Sequence, residues 1–454
     1  MSMINIGLSG VMANQVALNT TAQNVANVNT AGYSRKTVDQ SAVLAGSMVN
    51  GIDVGGGVQV SSIRRVTDQA AISRLRTAGE EMQYSQVFYE GMSNIENVLG
   101  MDGLNITNGL NDFFAAIDAA SVTPESEVYR QQIITSGEAL ANRFNGISKE
   151  LNNQLSGLTT QFNATVRDIN SQLTSVADLN KQIQEASARG EDIAGLQDAM
   201  DVQLNSLSKS MAVNTVFHSD GTVELSTPMG QPLVINDTAA SLSIGDSPDQ
   251  YNMNLNLTFQ NTTMPVDSSD LGGELGAIVD LKENQYEPLL ENLNTIAADF
   301  ANSVNDVLAG GRDLNGDLGV PLFEFDPDNA ASSLTITDIT ADQLALSSEA
   351  DEIGNGDNLQ KLADLATGAS GSISAYDAYA QVLGDVGIIT RQAGNNMTTK
   401  ATGYNEAQIA RDNISAVNSD EEAANLMVYM NAYQANMKVI STANQMFEVM
   451  LNAF

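Results

Sequence analysis

The chain has 454 residues, 43% of them hydrophobic, with no cysteine, no tryptophan and one histidine, which excludes thiol catalysis, disulfide staples and multi-histidine metal sites. That apolar content suffices for sizeable cores in roughly two to four domains. With 20 Lys and Arg against 55 Asp and Glu the formal charge is -35, a field that repels nucleic-acid phosphates and anionic lipid headgroups alike, and no apolar run is long enough to predict membrane insertion. The N-terminus also lacks the basic and apolar regions of a cleavable secretory signal.

In chain order, Ile4, Leu8, Val11, Gln15, Leu18, Ala22 and Val25 alternate by fours and threes and predict a helix from Met3 to about Val28. Gly7 and Gly10 lie inside it, each costing roughly 1 kcal/mol relative to Ala, so this helix is expected to be marginal until something packs on it. The Asn/Thr/Gly cluster that follows is a helix stop and turn, with Asn29 or Gly32 the candidates for a left-handed residue. Residues 36–66, with Gly55-Gly56-Gly57 and an alternation of Val58, Val60 and Ile63, read as a connector carrying a short strand.

Thr67-Asp68 offers an N-cap to a helix bearing Ile72, Leu75, Met82, Tyr89, Met92 and Leu99 on one face and ending at Gly100. A shorter helix is expected around Leu110 to Ala120. From about Ser126 to Ala188, Leu140, Phe144, Ile147, Leu151, Leu155, Leu158, Phe162, Val166, Ile169, Leu173, Val176 and Ile183 form one stripe near the 3.6-residue period, a helix far longer than the globular mean of about 11–12 residues. The period then changes. Val216 and His218 are expected to face Val223 and Leu225 across Asp220-Gly221, and Met253, Leu255, Leu257 and Phe259 alternate with polar residues, so 211–268 reads as a small β domain. Ile278, Leu281, Leu289, Leu293, Ile296, Phe300, Val304 and Val307 restore the helical spacing up to Gly310-Gly311. A strand-like stretch, Ser333 to Ile339, precedes helices that resume from about Ser374.

The last helix opens with an apparent capping box, Ser419 with Glu422, and acidic residues suited to the helix dipole. Its apolar stripe, Leu426, Met430, Tyr433, Met437, Ile440, Asn444, Phe447, Leu451 and Phe454, continues to the final residue. Ile4, Leu8, Val11, Leu18 and Val25 at one end, with Leu426, Met430, Tyr433, Met437, Ile440, Phe447 and Leu451 at the other, are therefore the expected assembly seam. Their partners are each other or neighbouring copies. The fold expected is mainly α with a small inserted β domain: a coiled-coil-like terminal domain (1–35 and 405–454), a connector (36–66), a long-helix bundle domain (67–210 and 269–404) and a distal β domain (211–268).

Candidate chemistry is sparse. Asp313, Asn315, Asp317 and Glu324 occupy the first, third, fifth and twelfth positions of an EF-hand-type calcium loop, but Leu318 replaces the turn glycine and Pro321 a ligand, so ordinary turn chemistry is the stronger reading. His218 stands alone beside a predicted hairpin tip, with no nucleophile elbow or metal motif near it, and reads as a surface or cross-strand residue. No enzyme, cofactor or metal is expected.

The run LNTTAQNVANVNTAGYSR, with Ala26-Asn27, Thr30, Gly32, Tyr33 and Arg35, resembles the N-terminal signature of bacterial flagellar rod, hook and hook-associated proteins. The closing segment, through Glu421, Glu422, Ala424, Asn425, Leu426, Tyr433, Gln434, Ala435, Asn436 and Leu451, is similar to the C-terminal signature of the same axial-protein family. GGELGAIVDLKENQYEPLLENLNTIAADFANSVN and GRDLNGDLGVPLF look like the helical domain and following loop of its hook-associated members. The resemblance implies an extracellular structural protein of the flagellum, exported unfolded by the type III apparatus and forming the hook–filament junction as a ring of its own copies. It further implies the hook protein as one neighbour, a second junction protein and the flagellin side as the other, an export chaperone on the C-terminal helix, and no catalytic residues. It implies, too, that an outer domain carried by some relatives is absent. A hook or rod protein would share both signatures with a more β-rich middle. A non-flagellar type III-secreted helical protein is the alternative from another class.

Overall fold

A computed structural model of the chain describes residues 3–43, 48–49, 52–53, 55–268, 271–352, 354–368 and 374–453. Phe454, the last position of the predicted seam, and the predicted boundary at 269 lie outside them. In chain order the elements are α1 (Met3–Ala26), β1 (Lys36–Ala42), β2 (Met48–Val49), β3 (Ile52–Asp53), β4 (Val58–Arg65), α2 (Gln69–Leu99), α3 (Ile106–Ala120), α4 (Glu127–Ala188) and α5 (Ala194–Ser210). Seven short strands follow: β5 (Asn214–Phe217), β6 (Val223–Ser226), β7 (Pro232–Ile235), β8 (Thr238–Ala239), β9 (Ser241–Ile244), β10 (Leu255–Phe259) and β11 (Thr262–Val266). Then come α6 (Gly273–Leu281), α7 (Glu287–Ala309), β12 (Phe323–Glu324), α8 (Ala330–Ser333), β13 (Thr335–Ile336), α9 (Asp357–Asp364), α10 (Ala375–Ser415) and α11 (Ser419–Asn452). The fold is mainly α with a small β domain.

The 62-residue α4 is the spine. Its stripe is buried from Leu140 to Ile183 except at Leu158, which is half-buried, and each such Leu, Ile or Phe contributes about 1.5–3 kcal/mol by leaving water. α3, α7 and α8 pack on it, α6 meets it past its middle, where Glu274 accepts from Gln161 and Thr165, and α5 returns beside it. Asp68 caps α2 as its sequence predicts, its carboxylate accepting from the backbone N–H groups of Ala70 and Ala71. α10 runs along α2, but between Ala393 and Ser415 no α10 side chain is buried.

The β domain is two antiparallel sheets, ordered β5-β6-β7-β8 and β11-β10-β9. Two asparagines of α4 dock it. Asn170 exchanges hydrogen bonds with the backbone of Leu242 (2.8 and 2.7 Å), and Asn180 does the same with Val223 while also donating to the Asn236 carbonyl at 2.7 Å. The predicted hairpin has a different register. Val216 pairs with Glu224 and Phe217 with Val223, because Asp220 builds its turn by accepting from Thr222 instead of forming a two-residue loop. Val216 is thereby turned to solvent while Val223 and Leu225 enter the core. His218 lies 3.4 Å from Glu224 as a half-exposed cross-strand pair.

Three other expectations change. Residues 36–66 are not a plain connector: β1 and β4 form an antiparallel hairpin with a bulge between Asp39 and Gln40, packed on α1. The helix expected from Ile278 to Val307 is two helices joined by a π turn at Lys282–Tyr286. This widening precedes Pro288, which lacks the N–H that a regular turn would aim at Asn284. The capping box of the last helix does not form, since Asn418 is the cap and accepts from Asp420 and Glu421, leaving Glu422 for another task. The calcium-like loop is a turn: Asp313 accepts from the N–H groups of Asn315 and Asp317 at 2.8 Å, and Glu324 lies in β12. Among the described residues no cluster of His, Asp and Glu is placed to hold a metal ion.

Candidate assembly surface

α1 and α11 pack antiparallel, Gly7 against Ile440, Gly10 against Asn436 and Asn24 against Glu422. The residues α1 buries are mostly small: Gly7, Gly10, Val11, Ala13, Ala17, Thr20, Thr21 and Asn24. A Cβ on Gly7 would meet Ile440 Cγ1 at 2.8 Å and one on Gly10 would meet the Asn436 carboxamide at 2.6 Å, so both glycines are close-approach positions for the partner helix. The seam that joins the two helices therefore runs about one residue, or roughly 100°, around α1 from the bulky stripe read in the sequence.

That offset decides where the predicted seam residues lie. Val11 is buried, and Leu18, Leu426, Tyr433 and Ile440 are half-buried in or beside the helix pair. Ile4, Leu8, Val25, Met430, Met437, Phe447 and Leu451 are exposed. More than half of the large apolar side chains exposed among the described residues lie on or next to α1 and α11. Beyond Ala443, the last buried residue of α11, Met446, Phe447, Val449, Met450 and Leu451 project past the described start of α1.

The N-terminal signature folds into the joint that carries this pair. Asn27 and Thr30 shape the turn after α1, with the Asn27 carbonyl accepting from the Thr30 N–H at 2.9 Å; Ala26 closes the helix, and Gly32 takes the left-handed conformation at φ 81°. Arg35 pairs with Glu421 at 2.8 Å while its backbone N–H donates to the Ser415 carbonyl. Asn24, which is 1% exposed, is the hub: it bonds both the N–H and the carbonyl of Lys36, accepts from the Tyr33 hydroxyl at 2.9 Å and donates to Glu422, itself 2% exposed. Burial first, and then the carboxylates of Asp198, Glu422 and Asp192, push the Tyr33 phenol up to about 12, so it remains a donor. Neither Asn24 nor Glu422 stood out in the sequence, where Asn24 is one asparagine of a polar run and Glu422 mimics a capping residue.

Below the joint Arg65 and Arg76 converge on Asp201, Arg76 at 2.7 Å, and Arg65 Nε lies 2.9 Å from Asp198 Oδ1 but out of line for a hydrogen bond. Burial holds the Asp198 carboxyl above the usual carboxylate range despite the pull of Arg65. A raised folded value means that this group's stabilising contribution is present below the unfolded value of about 3.9 and is lost as pH rises through the folded one. Asp198→Asn is therefore expected to raise the melting temperature at pH 7 and to converge with the parent below about pH 4. Asp201→Asn is expected to cost about 3 kcal/mol at pH 7, because it strips both guanidinium groups of their shared partner. Thermal melts across pH check both, and equal effects of the two substitutions would contradict the assignment.

The interface of small residues between α1 and α11 buries little apolar area, so this pair is expected to be the first part of the free chain to open. A broad-specificity protease should then leave a core from about residue 65 to about residue 400. Intact ends at protease levels that nick the β domain would count against this.

Residues 92–323, just over half of the chain, match the family model of the flagellar hook-associated protein FlgK helical domain. The chain belongs to the FlgK family of flagellar hook-associated proteins. Residues 4–33 match the flagella basal body rod protein model and residues 411–453 the C-terminal model of flagellar basal body rod FlgEFG proteins, so both terminal helices fall in families shared with rod proteins. Flagellar hook-associated protein 1 of Bacillus subtilis is 27% identical over 97% of this chain and 96% of its own, and that of Escherichia coli is 26% identical over 99% of both. The Escherichia coli alignment spans 546 positions against 454 residues here, so that relative carries segments with no counterpart in this chain. The solved flagellar hook junction protein FlgK of Burkholderia pseudomallei superposes with a TM-score of 0.68 over 74% of this chain and 99% of that one at 14% identity, a likeness of fold.

Proposed function

We propose that this structural flagellar protein forms the junction between hook and filament, a ring of copies packed through α1 and α11 with hook protein on one side and a second junction protein and flagellin on the other. The observation that carries the reading is the apolar surface of the α1/α11 pair, a cost to a free subunit that only assembly removes. The helical domain that separates this chain from rod proteins supports the junction over the rod. Export through the flagellar apparatus belongs to the same reading, with the α11 surface held by a chaperone beforehand and the mature protein outside the cell. Electron microscopy of cells lacking the protein tests it: hooks without filaments are expected, and full-length filaments on such cells would refute a junction role.

A further inference from the structure

The chain's sulfur is distributed unevenly. With no cysteine, its 18 methionines are its only sulfur side chains, and thioethers are oxidised in proportion to their exposure. Met92, Met200, Met211 and Met253 are buried in the helical and β cores. By contrast every methionine of α11, Met427, Met430, Met437, Met446 and Met450, is 41–57% exposed. These five are half of the exposed large apolar residues of that helix, whereas outside the terminal helices Met101 and Met229 are the exposed methionines among the described residues. Met430 and Met437 stand two turns apart on one face, and Met446 and Met450 one turn apart on the projecting end.

We propose that the five α11 methionines are a modification site, a latch set by oxidation: conversion of their thioethers to sulfoxides before assembly keeps the subunit out of the structure, and incorporation shields them afterwards. The inference rests on the reading that this surface packs against neighbouring copies. With hydrogen peroxide as oxidant, the sulfur gives up two electrons and gains one oxygen as the O–O bond breaks, and the other oxygen leaves as water, so no further reactant is needed. The product is a strongly dipolar acceptor on a chain that was apolar and flexible. Against a neighbour's apolar face it loses its water without gaining a donor, which opposes packing. Leucine would bury similar area at the same helix propensity without this sensitivity; methionine adds adaptability to an irregular partner and, with it, an oxidisable atom.

The test uses the purified full chain, with and without peroxide, added to cells that lack the protein and bear bare hooks. Peptide mapping by mass spectrometry should show the five α11 methionines oxidised while Met92, Met200 and Met211 are not. Untreated protein should restore filaments, oxidised protein should restore at least about tenfold fewer, and treatment with methionine sulfoxide reductases should recover the difference. A variant with leucine at all five positions should keep most of its activity through peroxide, with Met3 and Met12 of α1 as the exposed methionines left on this surface, whereas Met101→Leu with Met229→Leu should give no protection. Fully oxidised protein that restores as many filaments as untreated protein overturns the latch, as does a five-leucine variant inactivated as readily as the parent. If untreated protein restores no filaments, the junction reading fails instead; the latch is then decided by sedimentation of treated and untreated chain, equal self-association overturning it.

Discussion

Cells whose only copy of this protein carries Met437→Asp are expected to swim no better than cells lacking it, with bare hooks and flagellin shed into the medium. Met437 is 46% exposed on the outward side of α11, so in the free subunit the new carboxylate stays in water and the helix loses only the few tenths of a kcal/mol that separate Asp from Met in propensity. In the assembly the same carboxylate is pressed against an apolar neighbour with no partner, at a cost of several kcal/mol per site. Ile440→Asp should act by a second route as well, because Ile440 lies over Gly7 and its replacement also parts α11 from α1. The purified Met437→Asp chain should melt like the parent, since α2 to α10 do not depend on that side chain. Normal swimming at normal protein levels, or a central domain grossly destabilised by Met437→Asp, would show that this face is not an assembly seam.

Arg130→Ala is expected to do the reverse, costing about 3–5 kcal/mol of stability in the central domain. The Arg130 side chain is 1% exposed at the start of α4, donates from Nε to the Pro124 carbonyl at 2.6 Å and reaches the Leu344 carbonyl through a terminal nitrogen. Burial lowers its pKa to about 10, against the fields of Asp313, Glu125 and Asp342, so it remains charged at neutral pH. Removing it strands two buried carbonyls at about 1–3 kcal/mol each and opens a cavity between α4 and the segment around Leu344. Arg130→Met should recover only the packing. Melting of both variants checks the assignment, and an Arg130→Ala protein within about 1 kcal/mol of the parent would mean that the carbonyls find water instead.

What periodicity encodes was legible from the residues themselves. The α4 stripe, the Asp68 cap, the stop after α1 and the return of helical spacing at Ile278 all depend on neighbours within a turn or two, which local sequence specifies. The two terminal signatures placed the chain among flagellar axial proteins, and of the twelve bulky residues read as the terminal seam the fold leaves seven exposed, buries Val11 and half-buries Leu18, Leu426, Tyr433 and Ile440. Position along the chain could not say which of many asparagines would tie separate segments together. Asn24, Asn170, Asn180, Asn305 and Asn358 each bond the backbone of a segment distant in sequence, and nothing in their own surroundings marks them off from exposed asparagines. The same limit applies to Glu422, whose spacing from Ser419 suits a capping box but whose carboxylate meets Asn24 from the other end of the chain. It applies above all to the glycines of α1. Read alone, Gly7 and Gly10 weaken a helix; only the approach of Ile440 and Asn436 makes their missing side chains the contact, and so turns the bulky stripe away from α11 and outward. Short-range spacing fixes an element and its faces, whereas which face meets which partner is decided by backbone approach and buried polar pairing between residues hundreds of positions apart.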